Sequence, residues 1–540
     1  MHMKKLAAAC TLAFGTIVSG GAQAVLPYDA VQVDLFISGA SAVQSNFKAQ
    51  LSNLFTGTAG VNYITASDNT TTNGADFFAV TGTLKSAAPV PAALFGKTAR
   101  ITYRSRGGSV WGVDPVAREE KIQWMQMDPL FCSSTLPPGA TASANIYCTP
   151  TGDDSLTNGR KPDLGVSDVE PKMFQAPLNV EFGRPQLTSG DVGGLKSSSV
   201  YQQAFGVPMT NVIPTTLFLD KAMVLSMLAK TGIMHDWSVV TGAPIAAINP
   251  GASTKPVVVC RRVPGSGSQA TSNYYFNNFG CSGLAYSDPA VMADSAGFGA
   301  QGSGATKNDP IIIDPTVGYT VVENPGSGDV RSCLSAAQSG LNHTFKGDTG
   351  LWYQVTFSGT GRDTLNNIIY TNADTTVVAP YGATGVLSYD SSGKEGTTFH
   401  FQDLNGLLTA NTAAINASGR PATSTAKYAV AAMMESPWDY FSEVTMQYRN
   451  GTNGKIALSD TPPLVNPANG NYSVGLVKTL ADSLIVTFGD PAVVNVNLGI
   501  AALPTNYVAT TVVATNKVSK GTKSGDTCKP NSLLYKPVFW

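Results

Sequence analysis

The stretch Val257-Val258-Val259-Cys260-Arg261-Arg262-Val263-Pro264-Gly265-Ser266-Gly267-Ser268-Gln269 constrains this chain more than any other. A β-branched apolar run reads as a strand, ends in two arginines, breaks into a Gly/Ser turn and reopens over Ala270–Phe276 as a helix. Strand, short turn and helix in that order is the unit of α/β architecture. It is also a form of anion site. Glycines admit close backbone approach, the first N–H groups of a helix point outward, and the helix dipole adds partial positive charge there. Ser266 and Ser268 add hydroxyls, and an arginine can grip two oxygens of a tetrahedral anion. An ordinary Gly/Ser loop satisfies the same pattern, so other stretches must decide.

The pattern recurs. Val31–Ile37 reads as a strand, Ser38-Gly39-Ala40-Ser41-Ala42 as a small-residue turn, and Val43, Phe47, Leu51, Leu54 and Phe55 fall at helical spacing. Ala99–Tyr103 is a further strand that runs into Arg104-Ser105-Arg106-Gly107-Gly108-Ser109-Val110-Trp111. After residues 113–160, a Pro-, Gly-, Ser- and Thr-rich excursion, comes Asp163-Leu164-Gly165-Val166-Ser167-Asp168-Val169-Glu170. An aspartate in such a place is usually a helix cap or turn former. Beyond Phe205, helical spacing at Met223, Val224, Met227 and Leu228 precedes Gly232, and Gly326–Val330 leads into a helix-like stretch. Tyr381–Tyr389 reads as turn then strand, Tyr428–Met434 as a buried strand, Val474–Val486 as a helix and Val493–Leu503 as an apolar run.

Residues 1–24 combine Lys4 and Lys5, an apolar stretch from Leu6 to Val18, and Ala22-Gln23-Ala24, the pattern of a secretory signal. Cys10 offers a rival lipoprotein-like reading, but the apolar segment ahead of it is very short. Without those 24 residues the chain carries 33 basic and 36 acidic side chains. That balance argues against nucleic acid as a partner. Asn495, Asn497, Pro504 and Asn506 interrupt the uncharged stretch 491–516, so no membrane span is expected there, and Pro537 and Lys536 spoil a barrel strand ending in Phe539-Trp540. Six cysteines remain beyond the signal, an even count that suits disulfides in an exported chain. Cys132/Cys148 is the pairing favoured by proximity, and Cys260/Cys281 would brace the turn between them. His235, His343 and His400 are too scattered for a metal set, so no metal or cofactor is expected.

Taken in order, these turns resemble the periplasmic phosphate-binding proteins of ABC transporters, a branch of the type II periplasmic binding protein fold. The matching segments are Ser38-Gly39-Ala40-Ser41-Ala42-Val43, Thr102-Tyr103-Arg104 through Gly107-Gly108-Ser109, Asp163 through Asp168, and Arg262 through Ser268. Gly382-Ala383-Thr384-Gly385 and Gly326–Val330 are weaker echoes. The resemblance implies an α/β protein with mixed, largely parallel sheets, two lobes and a hinge. One lobe would hold residues 25–204 and 391–540, and the other residues 205–390. It further implies Arg262 as guanidinium clamp and Ser266, Gly267 and Ser268 as donors at a helix N-terminus. Gly108 and Ser109 would be donors of the second turn, and Ser41, Ala42 and Val43 would line the first, Ala42, Val43 and Gln44 through backbone N–H groups only. Asp168 would accept a hydrogen bond from a protonated phosphate and repel sulfate, which has no proton to offer. Two departures bear on the ligand. Pro264 stands where the family has an aspartate, and Arg104, Arg106 and Trp111 make the second turn more cationic and bulkier.

The expected function is therefore an exported, monomeric solute-binding protein of the periplasm that holds phosphate or a related oxyanion for an ABC transporter permease. A secreted or surface protein reusing the fold for phosphate scavenging or adhesion is the alternative from a different class. A phosphatase is the third reading, but the chain offers neither a clustered metal set nor a Ser/His/Asp arrangement.

Overall fold

A computed structural model describes residues 31–56, 62–66, 77–133, 146–150, 159–242, 255–281, 287–299, 301–357, 380–405, 438–449, 474–491, 493–504, 518–519, 521–530 and 532–533. The signal-like residues 1–24, the strand expected at Tyr428–Met434 and the terminal Phe539-Trp540 lie outside the described residues.

The amino-terminal half contributes β1 (Val33–Gly39), α1 (Gln44–Ser52), β2 (Asn62–Ala66), β3 (Phe77–Thr83), β4 (Thr98–Arg104), α2 (Asp114–Arg118), β5 (Cys132–Ser133), β6 (Ile146–Cys148), β7 (Leu164–Ser167), α3 (Ser189–Gly193) and β8 (Leu195–Thr210). Next come α4 (Lys221–Leu228), α5 (Trp237–Thr241), β9 (Val258–Arg262), α6 (Gly267–Asn277), β10 (Ile311–Ile313), β11 (Thr320–Asn324), α7 (Ser327–Ser339), β12 (His343–Lys346), β13 (Trp352–Val355) and β14 (Ala383–Gly385). The chain then adds β15 (Leu387–Ser388), β16 (Phe399–Gln402), β17 (Phe441–Arg449), α8 (Val474–Phe488) and β18 (Ile500–Ala502).

The large sheet runs β11-β9-β14-β8-β17-β7-β1-β4-β3-β2-β6-β5, so the protein is of mixed α/β class. Two trios are parallel, β11-β9-β14 and β7-β1-β4, and each strand of the recurring strand–turn–helix units lies in one of them. Antiparallel pairing of β8 with β14 and β17, and of β17 with β7, joins the trios.

Two apolar cores flank this junction. The first is built from residues 204–404 together with Trp438, Tyr440, Phe441 and Ala501; the second draws on β1, α1, β4, β7, β17 and α8. The 16-residue β8 passes through both, placing Val200 and Tyr201 in the second and Ala204 and Phe205 in the first. Helix α1 buries Phe47 and Leu51 of the spacing read from sequence; Val43 is its N-cap and Leu54 and Phe55 lie past its end, yet all five are at most 1% exposed. Helix α4 ends at Leu228, ahead of Gly232, whose Cβ position is blocked by the Ser226 carbonyl.

The excursion 113–160 is not loop throughout, because β6 pairs in parallel with β2 and adds to the sheet edge. The Cys132–Cys148 disulfide joins β5 to β6 there, as proximity suggested. The expected Cys260–Cys281 pairing is wrong. Cys260 points from mid-β9 onto α7 and bonds Cys333, whereas Cys281, beyond the end of α6, bonds Cys528. Strand–helix packing placed the partners, and closeness in sequence did not.

Candidate functional site

The four turns singled out in the sequence meet. Arg262, the last residue of β9, is 1% exposed and extends its guanidinium across the ends of three helices. Its Nη1 donates to Ser41 Oγ, before α1, and to Ser327 Oγ, the first residue of α7, each at 3.1 Å. Nη2 donates to the Pro325 carbonyl at 2.6 Å and Nε to the Asn324 carbonyl at 3.2 Å. Among the described residues no carboxylate stands within ion-pair distance of this guanidinium. Burial draws its pKa down, against the pull of Asp348, Asp168 and Asp329.

The three helices that approach Arg262 share a second property. Their N-cap residues are Val43, Ser266 and Gly326, and none supplies a side-chain cap. Elsewhere Thr188, Asp220 and Asp236 cap α3, α4 and α5 with side-chain oxygens, whereas the short α2, with Val113 at its N-cap, also lacks one. An uncapped helix start keeps first-turn N–H groups for another acceptor. Ala42 and Val43 bury their side chains, so only their backbone can serve a ligand.

The second turn is shaped by Gly107 and Gly108, both at φ 83°, a region costly for any side chain. It brings Ser109 under α6, where the Val110 N–H donates to the Gly265 carbonyl at 2.8 Å. The Asp168 N–H donates to Ser109 Oγ at 3.1 Å, which leaves the Ser109 proton to be donated. Ser268 Oγ donates to Asp168 Oδ2 at 3.0 Å, so the Ser268 hydroxyl proton is spent on Asp168, toward which the Ser268 backbone N–H is also directed. Asp168 Oδ1 is buried without a hydrogen-bond partner. Burial raises the Asp168 pKa, opposed by the bond from Ser268 and by Arg262. Gly267 is required by space: a Cβ there would stand 2.7 Å from Asp168 Cβ and collide with Ser109. Ser266 itself is 1% exposed at the start of α6.

Sequence reasoning missed Ser327 as a partner of Arg262, and missed two carboxylates. Arg104 lies over the Trp111 ring at 4.3 Å, Arg184 lies at 4.6 Å from the same ring, and Arg106 donates to Gln123. Against this cationic turn stands Glu181, packed on Gly265, with Asp348 between β12 and β13 in electrostatic reach of Arg262 and Arg106. Burial and the Asp348 charge push Glu181 up to about 8, and burial pushes Asp348 up to about 6. Glu181 is therefore largely uncharged at neutral pH, and of the two carboxylates Asp348 is the one that carries charge toward the arginines of this turn. No motif surrounds either carboxylate, so nothing local marked them.

Neither a family model nor a curated protein matches the chain. Solved structures do resemble it at low identity. A possible phosphate binding protein from Planctomyces limnophilus is 8% identical, with 78% of this chain and 82% of that one covered and a TM-score of 0.27. An ABC-type phosphate transport receptor from Vibrio cholerae is 10% identical, with 77% and 88% covered and a TM-score of 0.29. PstS from Borrelia burgdorferi is 9% identical, with 77% and 87% covered and a TM-score of 0.26. Function is read from the site itself. No helix among the described residues is long and apolar enough to cross a membrane.

Proposed function

We propose that this protein is an exported solute-binding protein that holds phosphate or a related oxyanion where the four turns meet, for uptake by an ABC transporter permease. The observation that carries the reading is the combination at Arg262: a buried guanidinium with no carboxylate partner among the described residues, facing three helix starts that lack side-chain caps. A buried cation without a counter-ion is costly, and an oxyanion supplies the missing charge together with acceptors for the helix N–H groups. Asp168 adds selectivity, because the free Oδ1 can accept the proton of a monohydrogen phosphate and meets only repulsion from sulfate.

In this reading residues 25–204 and 391–540 form one lobe and residues 205–390 the other, with Ser41, Ala42, Val43, Gly108, Ser109 and Asp168 on the first and Arg262, Ser266, Gly267 and Ser268 on the second. Closure between them is favoured by the contacts an anion makes with both. The protein works as a monomer in the periplasm and catalyses no reaction.

The test is calorimetric titration of mature protein, stripped by partial unfolding, with phosphate, arsenate and sulfate. Phosphate binds the parent, Arg262→Ala lowers affinity at least about 100-fold, and Asp168→Asn narrows the preference for phosphate over sulfate. Failure of all three anions to bind, or Arg262→Ala binding as the parent does, defeats the proposal.

A further inference from the structure

The segment 521–528 supplies nothing to the anion site, yet it ties together two elements that form it. Glu443, in the middle of β17 and 3% exposed, accepts hydrogen bonds from Thr522 Oγ1 at 2.6 Å, the Lys523 N–H at 2.7 Å and the Gly525 N–H at 2.6 Å. Gln202 Nε2 on β8 donates both to Glu443 at 3.2 Å and to the Gly521 carbonyl at 2.7 Å. Lys523 is 5% exposed, with its ammonium 4.7 Å from the Tyr274 ring of α6 and 5.3 Å from the Phe441 ring. Farther along, the Thr527 N–H donates to Glu170 Oε1 at 2.7 Å, and the Thr527 hydroxyl donates to Glu170 Oε2. Glu170 lies two residues past Asp168. The next residue, Cys528, is disulfide-bonded to Cys281, just beyond α6.

The segment is thus fixed through residues 521–525 to β8 and β17, and through Thr527 and Cys528 to the turn that carries Asp168 and to the residue beyond the end of the helix that carries Gly267 and Ser268. Helix α6 is buried on nearly every side, with Tyr274 its one residue outside the buried class. Asn273 Nδ2 donates to Asn179 Oδ1 at 2.9 Å, and the Gly265 N–H donates to the Asn179 carbonyl at 2.9 Å. Separating α6 from the Asp168 turn therefore requires these contacts and the grip at Glu170 to break while the disulfide still holds the end of the helix nearby. A tether of this kind keeps the local concentration of the separated surfaces high and favours reclosure.

We propose that residues 521–528 are a latch that keeps α6 docked on the Asp168–Glu170 turn, so that release of an anion is limited by opening of the latch. The consequence for anion release rests on the function proposed above, whereas the docking of α6 does not. The experiment compares parent protein, Cys281→Ser/Cys528→Ser and Thr527→Val, the last with its disulfide intact. Hydrogen exchange is followed over residues 267–277, and phosphate release by stopped flow. Exchange in α6 and phosphate release both quicken, at least about 10-fold in the double variant and about 5-fold in Thr527→Val. Unchanged α6 protection in the folded variants overturns the latch, as does phosphate release at the parental rate in variants that bind it. Should the double variant fail to fold, Thr527→Val decides alone. If α6 loses protection while no protein binds phosphate, the latch stands and the anion reading falls.

Discussion

Two buried arginine sites in this molecule are built in opposite ways. Near the start of β1, Asp34 accepts from Arg100 Nε at 3.1 Å and Nη2 at 2.7 Å and from Arg160 Nη1 at 2.9 Å, and Arg160 also reaches Asp163 at 3.1 Å. Two guanidinium groups meet two carboxylates, and despite the burial that opposes it, the two arginines hold Asp34 well below the usual carboxylate range. At Arg262 the same side chain, equally buried, finds hydroxyls and carbonyls in place of carboxylates. The first site completes its charge through direct ion pairs within the chain, whereas at Arg262 the carboxylates of Asp348, Asp168 and Asp329 act only from a distance. In the function proposed above, an anion supplies the direct partner that Arg262 lacks among the described residues.

The contrast is broken most severely at Asp34. Asp34→Asn leaves Arg100 and Arg160 short of charge in the interior and is expected to cost about 3–5 kcal/mol in denaturant unfolding, a loss that phosphate does not restore. The reverse holds at Arg262. Phosphate at 100 times its Kd should stabilise the parent by about 2.7 kcal/mol, and Arg262→Lys, which lacks the planar fork, should lose most of that increment in the same unfolding assay. Gly267→Ala forces a methyl group against Ser109 and Asp168, and a loss of about 2 kcal/mol in thermal unfolding is expected, together with weaker anion binding.

The smallest effect sharpens the comparison through pH. Asp34 ionises readily, whereas Glu181 is held protonated up to about 8 by burial and by Asp348. The unfolded chain releases the Glu181 proton near the ordinary glutamate value, so between about pH 4.5 and 8 the folded state binds the extra proton. This contribution to stability is fully present below that window and is lost as pH rises through it. Glu181→Gln should flatten the stability profile by about 1 kcal/mol between pH 5 and 8, and an unchanged slope would remove Glu181 from the account.

The sequence exposed those parts of the fold whose causes are local. Helix α1 was legible because Val43, Phe47 and Leu51 had to face one core, although the spacing ran on through Leu54 and Phe55 past the end of the helix, and the turn before α6 was legible because strand, glycines and helix are adjacent. Asp168 was legible only through its place in an ordered series of turns, since alone it reads as a cap. What stayed hidden depends on packing at long range. Cys260 meets Cys333 because α7 lies against β9, which no spacing reveals. Ile146 joins the sheet through register with Ile64, although its surroundings read as loop. Glu181 and Asp348 come to the cationic turn from separate segments, and Glu443 reads as an ordinary strand glutamate until the carboxy-terminal segment donates to it.

The length of β8 bears on the order in which the chain can become native. Residues 195–210 pair with β17 at 441–449 and with β18 at 500–502, and Cys281 must meet Cys528. A chain emerging from its amino terminus holds β8 with an open edge until almost the whole polypeptide has appeared, a state that invites association with other strands. Closing that edge of β8 therefore waits on residues 441–449 and 500–502, far along the chain from the strand they cover.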